Sequence, residues 1–246
     1  MSQKILRISF YLLFAATPLI WLSFTSELFE WNKMYFVYLL STIITTAWLI
    51  RMIKENRLII KRSPLDIPLF LFLISQIIST VYSIDRNVSM FGYYSRLNGG
   101  LLSTISYITL YYALISNFEK EDVVKFLKAS LFGGLLVSLY AIPEHFGVSP
   151  SCVLLTGRAD VGCWVQLVQE RVFATLGQPN WLAGYLGILI FPALYFALTA
   201  ETIKQKSIYY LLTTIYYLAL TFTYTRGTTI GLWAGLVVFI VTLLYC

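Results

Sequence analysis

Residues 171–200 read RVFATLGQPNWLAGYLGILIFPALYFALTA, an arginine and a Gly-Gln-Pro-Asn turn opening into twenty residues without a single charge. A run of that length matches the roughly 20 apolar residues that an α-helix needs to cross the hydrocarbon core. The rest of the chain has the same character. Of its 246 residues 58% are hydrophobic, 17% aromatic and only 12% charged, far from the balance of a soluble domain. Comparable runs occupy about 8–25, 34–52, 65–83, 99–117, 122–143, 180–200, 207–224 and 227–245, so the reading is an all-α, polytopic transmembrane bundle of about eight spans. The run at 122–143 is the weakest, because Lys125 and Lys128 burden its first turns, and it is expected to lie partly in the interface. The first run is too long for a cleaved signal peptide and lacks a small-residue cleavage site, so it counts as a span. No period-two alternation suggests a barrel, no internal repeat is visible, and residues 1–246 read as one transmembrane domain.

Loop charge orients these spans. With the amino terminus inside, twelve of the 18 Lys and Arg residues fall on the inner side, and both termini are cytoplasmic. The sequence pI near 9.1 then reflects attraction to anionic lipid headgroups, and a nucleic-acid partner is not expected. The basic stretch KENRLIIKRSP, residues 54–64, is a cytoplasmic loop in this topology.

The six outer basic residues are Lys33, Arg86, Arg96, Arg158, Arg171 and Arg226, and five of them are arginines. Lysines dominate the inner side. A guanidinium is always charged and offers a planar fork matched to phosphate, so an outer arginine cluster points to an anionic ligand. Arg96, Arg171 and Arg226 each stand at the outer end of a run. An arginine there can equally snorkel to headgroups and do nothing more. Arg226 is the hardest to dismiss, because only a tight turn separates the runs on either side of it, where ionisable residues are costly. Gly177, Pro179 and Asn180 are compatible with a plain turn in which Asn180 caps a helix starting at Trp181. They also suit phosphate at a helix amino terminus.

RVFATLGQPNWLAGYL at 171–186 and TFTYTRGTTIGLWAGL at 221–236 together resemble the paired signature of the O-antigen ligase family of bacterial membrane proteins. FGYYSRLNGGLLSTISYITLYYAL at 91–114 is similar to the region that precedes it, and the likeness covers roughly residues 65–245. Ala174 and Gln178 depart from the pattern, standing where Gly and Asn are more usual. The resemblance implies glycan transfer from an undecaprenyl-pyrophosphate carrier to lipid A core, a growing glycan or a protein hydroxyl, at the outer face of the cytoplasmic membrane. It implies that Arg171 and Arg226 hold the pyrophosphate with Arg96 as a third, and that neither a metal nor another cofactor is needed. Preorganised arginines are suited to charge that develops on a leaving pyrophosphate.

The family's activating histidine lies in a large periplasmic loop after the last run seen here. His145, the only histidine, carries no motif that makes it that base. The catalytic residue is therefore unknown, and the chain reads as the amino-terminal, carrier-binding part of a longer architecture. Three cysteines and one histidine do not make a convincing zinc site, and no P-loop, His-Glu-x-x-His or Cys-x-x-Cys motif is present. Cys152 and Cys163 share one outer loop with flexible glycines between them, and can pair in an oxidising compartment. Two other readings stand beside the transferase: a small-anion transporter of bicarbonate type, and an inactive membrane partner. A transporter is expected to show paired, broken helices near mid-membrane, and no such symmetry is visible in the sequence.

Overall fold

The computed structural model describes residues 2–23, 25 and 27–245. Among these the architecture is all-α: ten helices, three short 3-10 turns and no strand. The helices are α1 (Ser2–Ala15), α2 (Glu30–Glu55), α3 (Asp66–Val81), α4 (Arg86–Phe91), α5 (Leu101–Asn117), α6 (Lys120–His145), α7 (Pro150–Thr156), α8 (Pro179–Thr199), α9 (Ile203–Thr221) and α10 (Arg226–Tyr245).

Helices fall on all eight apolar runs, but α2, α6, α8 and α10 are the four long and apolar enough to cross a membrane. The others fall short for identifiable reasons. At 1.5 Å per residue the 14 residues of α1 reach only about 21 Å, against a hydrocarbon core of about 30 Å. The 16 residues of α3 and 17 of α5 are also short. α9 has 19 residues, but its first turn carries Lys204, Gln205 and Lys206. The run expected to be weakest is instead one of the four. α6 is a continuous 26-residue helix that takes Glu121 and Asp122 into its first turn, where acidic side chains oppose the helix dipole favourably.

The chain divides into two compact units, Met1–Phe126 and Leu127–Cys246. In the first, α1 packs on α2, and α2 and α3 pack on α5. Leu6 and Phe10 of α1 meet Val37, Ile44, Ala47 and Trp48 of α2, Leu110 and Ala113 of α5, and Phe118 and Phe126. Phe118 stands edge-on to both Phe10 and Phe126, with ring centroids 5.4 and 5.0 Å apart, the arrangement that aromatic quadrupoles favour.

In the second unit α8 lies along α9, and α10 along α8. The fully buried Tyr216 of α9 donates its hydroxyl to the Leu131 carbonyl of α6, so a large aromatic enters the core with its polar end satisfied. Gly134 of α6 makes room here, because a Cβ would crowd the Tyr216 hydroxyl at 3.2 Å and collide with Leu189 of α8. α10 differs from its neighbours: it is the most apolar helix of the four, yet only Leu232 is buried.

Candidate anion-binding site

Arg171 leads into a 3-10 turn, Ala174–Leu176, which ends at Gly177. Gly177 has φ +80°, a left-handed conformation that glycine adopts without a Cβ penalty, and it redirects the chain into α8. Pro179 occupies the first turn of α8, where its missing N–H costs nothing. The expected cap is corrected here. α8 begins at Pro179 with Gln178 as its N-cap residue, and no side chain caps it. Asn180 already lies inside the first turn, and its side chain serves a different purpose.

The second motif forms the four-residue turn from Phe222 to Thr225 between α9 and α10. Tyr224 there has φ +49°, a strained value for a non-glycine residue. The buried Thr223 donates its hydroxyl to the Leu220 carbonyl at 2.7 Å and lies 3.0 Å from the Thr225 hydroxyl.

Three hydrogen bonds join the two motifs, and a fourth within the first motif braces them. The Val172 N–H donates to the Phe222 carbonyl at 3.1 Å. Arg171 Nε donates to the Thr223 carbonyl at 3.2 Å, across 52 residues of sequence. Arg171 Nη2 donates to Asn180 Oδ1 at 3.0 Å, and the same oxygen accepts from Thr225 Oγ1 at 3.3 Å. Asn180 is thus the acceptor shared by an arginine of one motif and a threonine of the other.

Every acceptor that Arg171 meets is neutral. A guanidinium carries five N–H donors, and two of its nitrogens serve these contacts, so donors remain, and among the described residues Arg171 forms no ion pair, not even with Glu170 of the same cleft. Arg171 is exposed beside a 430 Å³ cleft that it lines with Gln166, Leu167, Glu170, Gln178, Pro179 and Asn180. Arg226 is the first residue of α10, exposed, with no side-chain partner among the described residues, and does not line this cleft. Arg96 belongs to the first unit, where its Nε pairs with Glu30 Oε2 at 2.9 Å.

Sequence reading did not single out Glu144, which supports this site from behind. This fully buried residue ends α6 together with His145. One carboxyl oxygen accepts from the Ala174 N–H at 3.0 Å and the other from Ser149 Oγ at 2.8 Å. Ser149 Oγ in turn accepts from Trp164 Nε1 at 3.2 Å, and Trp164 stands edge-on to Phe173. The first of these bonds holds Ala174 at φ +48°, where a side chain is disfavoured and glycine is comfortable. The available signal was an acid closing a long apolar run, but its partner was not inferable from local sequence. His145 fastens the same corner: its ring stacks on Phe222 at 3.9 Å and Nδ1 lies 2.9 Å from the Gln169 carbonyl. The loop before Arg171 is closed by a Cys152–Cys163 disulfide.

Among the described residues, no group of three or more His, Cys, Asp or Glu side chains is arranged to hold a metal ion. No family model, curated protein or solved structure matches the chain.

Proposed function

We propose that this chain is a polytopic protein of the bacterial cytoplasmic membrane that binds the pyrophosphate of a polyprenyl-linked glycan and serves its transfer to a lipid, glycan or protein acceptor. The observation that carries this reading is the clasp in which Arg171 joins both motifs through neutral acceptors and keeps its charge beside a polar cleft. The unmatched acceptor capacity of a pyrophosphate suits the donors that remain. The left-handed φ at Ala174 adds support, since the O-antigen ligase signature more usually has glycine at that place.

In this reading about eight helices traverse the bilayer, the shorter ones with local thinning or snorkelling at their ends, and both termini are cytoplasmic. The disulfide fits an outer location for residues 146–170, because such bridges persist in oxidising compartments. Labelling by a membrane-impermeant thiol reagent in a Cys246→Ser background tests the orientation: Ser95→Cys should react from outside and Lys54→Cys should not. The reverse pattern would put the site in the cytoplasm and end the proposal. Function is tested by binding of undecaprenyl pyrophosphate to the detergent-purified chain. Parent protein should bind it, and bicarbonate should not compete; binding of bicarbonate alone would favour a small-anion transporter.

A further inference from the structure

The stretch from Arg57 to Asp66 has almost no regular structure, yet it is stapled to the helices around it. Trp48 Nε1 of α2 donates to the Ile59 carbonyl at 2.9 Å, and the Lys61 N–H donates to Ser116 Oγ of α5 at the same distance. Farther along, the Ser63 hydroxyl bonds the Tyr111 hydroxyl, and Asp66 Oδ1 accepts from Tyr112 at 2.8 Å and from the Ser63 N–H at 3.1 Å. A segment held at this many points has a fixed backbone path.

It presents two unlike surfaces that meet at Ile60. On one side is a 570 Å³ apolar groove walled by Trp48, Ile67, Phe70, Ile108 and Thr109, with Arg62 at its rim. On the other is a 400 Å³ polar cleft containing Arg57, Lys61, Ser116 and Asn117. The carboxylates do not balance the cations. Glu55 is shared by Arg51 and Arg57, at 2.6 Å from each, and the Asp66 oxygen at the groove is taken by Tyr112 and Ser63. Glu119 borders the cleft without pairing with Lys61. Lys61 and Arg62 are exposed and have no side-chain partner among the described residues.

We propose that this corner is a binding site for an anionic glycerophospholipid, with one acyl chain in the groove and the phosphate held by Lys61 and Arg62. The groove's volume is that of a small-ligand site, and juxtaposed basic side chains are what anionic headgroups select. A zwitterionic lipid would fill the groove equally well but bring its own cation to two uncompensated cations. A soluble phosphate would leave the apolar wall uncovered.

Native mass spectrometry of the full chain, released from detergent with equimolar phosphatidylglycerol and phosphatidylcholine of identical acyl chains, tests this. Parent protein should retain the anionic lipid about fivefold to tenfold over the other, the preference expected when a basic side chain meets a headgroup of net negative charge instead of one that carries its own cation. The double variant Lys61→Gln/Arg62→Gln should retain both equally. Thr109→Trp, which fills the groove and leaves the cations in place, should lower retention of both, and it serves alone if the double variant does not fold. Equal retention by the parent overturns the proposal. So does displacement of the lipid by glycerol phosphate as readily as by phosphatidylglycerol, which would mean an anion site only. A second copy of the chain released by Thr109→Trp in place of lipid would make the groove an interface.

Discussion

Arg51 and Arg171 are both pinned by oxygen acceptors, side-chain ones alone for Arg51 and a backbone carbonyl as well for Arg171, and they end in opposite electrostatic states. Arg51 donates to Gln3 Oε1 at 2.7 Å and Asn117 Oδ1 at 3.0 Å, and also pairs with the Glu55 carboxylate at 2.6 Å. Its charge is answered within the fold, so it ties α1, α2 and α5 together. Arg171 has an amide contact and a backbone carbonyl contact but no carboxylate. The acid nearest in role, Glu144, points its oxygens at a backbone N–H and a serine hydroxyl and neutralises no arginine. A cation oriented by neutral groups keeps its charge for something else, whereas one oriented by a carboxylate has found its counter-ion. By the same criterion Arg96, paired with Glu30, resembles Arg51 more than Arg171.

The largest effect expected on this contrast comes from removing the hidden carboxyl. Glu144→Ala orphans the Ala174 N–H and opens a cavity, at a cost of about 3 kcal/mol; thermal unfolding in detergent should show a clear drop, and an unchanged midpoint would mean that the turn is held by other contacts. Opening the loop comes next. Cys152→Ser with Cys163→Ser should cost roughly 2–3 kcal/mol by the chain-entropy estimate, checked by the same melt and by finding two protected thiols in the parent chain under non-reducing conditions.

The contrast itself is tested by binding. Arg171→Ala or Arg226→Ala should weaken undecaprenyl pyrophosphate by roughly tenfold to a hundredfold, equivalent to about 1.5–3 kcal/mol. Lysine should restore only part, because it keeps the charge and loses the fork. Losses that fall short of additive would show that Arg226, although outside the cleft, serves the same ligand as Arg171; additive losses would separate the two. Arg96→Ala and Arg158→Ala should bind within about twofold of the parent, a difference below roughly 0.5 kcal/mol. Arg171→Ala also removes the bond to Thr223, so the melting midpoint must be measured beside the affinity. Parent-like binding by both alanine variants would reduce these arginines to headgroup anchors. The smallest effect is the most specific: Ala174→Gly relieves a left-handed φ and should stabilise by about 1 kcal/mol, whereas a loss would show that the methyl group's packing outweighs the strain.

Much of the helical content was legible from composition alone, because uncharged runs of that length have few other uses. The span count was not. α1 and α3 look like spans in a window that ignores where the helix starts and stops, and Lys125 and Lys128 look disqualifying in α6 until the helix proves 26 residues long. Pairing the motifs at 171–186 and 221–236 brought together segments that three hydrogen bonds do join. The assignment of Asn180 as a cap failed because α8 starts at Pro179, before the residue expected, which puts Asn180 inside the first turn with its oxygen turned to Arg171.

The sequence by itself determined what depends on local chemistry. That includes the helical class, the apolar surfaces, the glycine at the sharp turn before α8, and arginine rather than lysine at the helix ends. Tertiary structure alone decided which charges are spent. Arg51 meets a carboxylate only four residues on, but whether Arg96 finds one depends on Glu30 of α2, and Arg171 meets a neutral carbonyl across 52 residues, which local sequence does not encode. The same holds for Glu144, whose burial is tolerated because a backbone N–H from residue 174 and a hydroxyl from Ser149 replace the water it has lost.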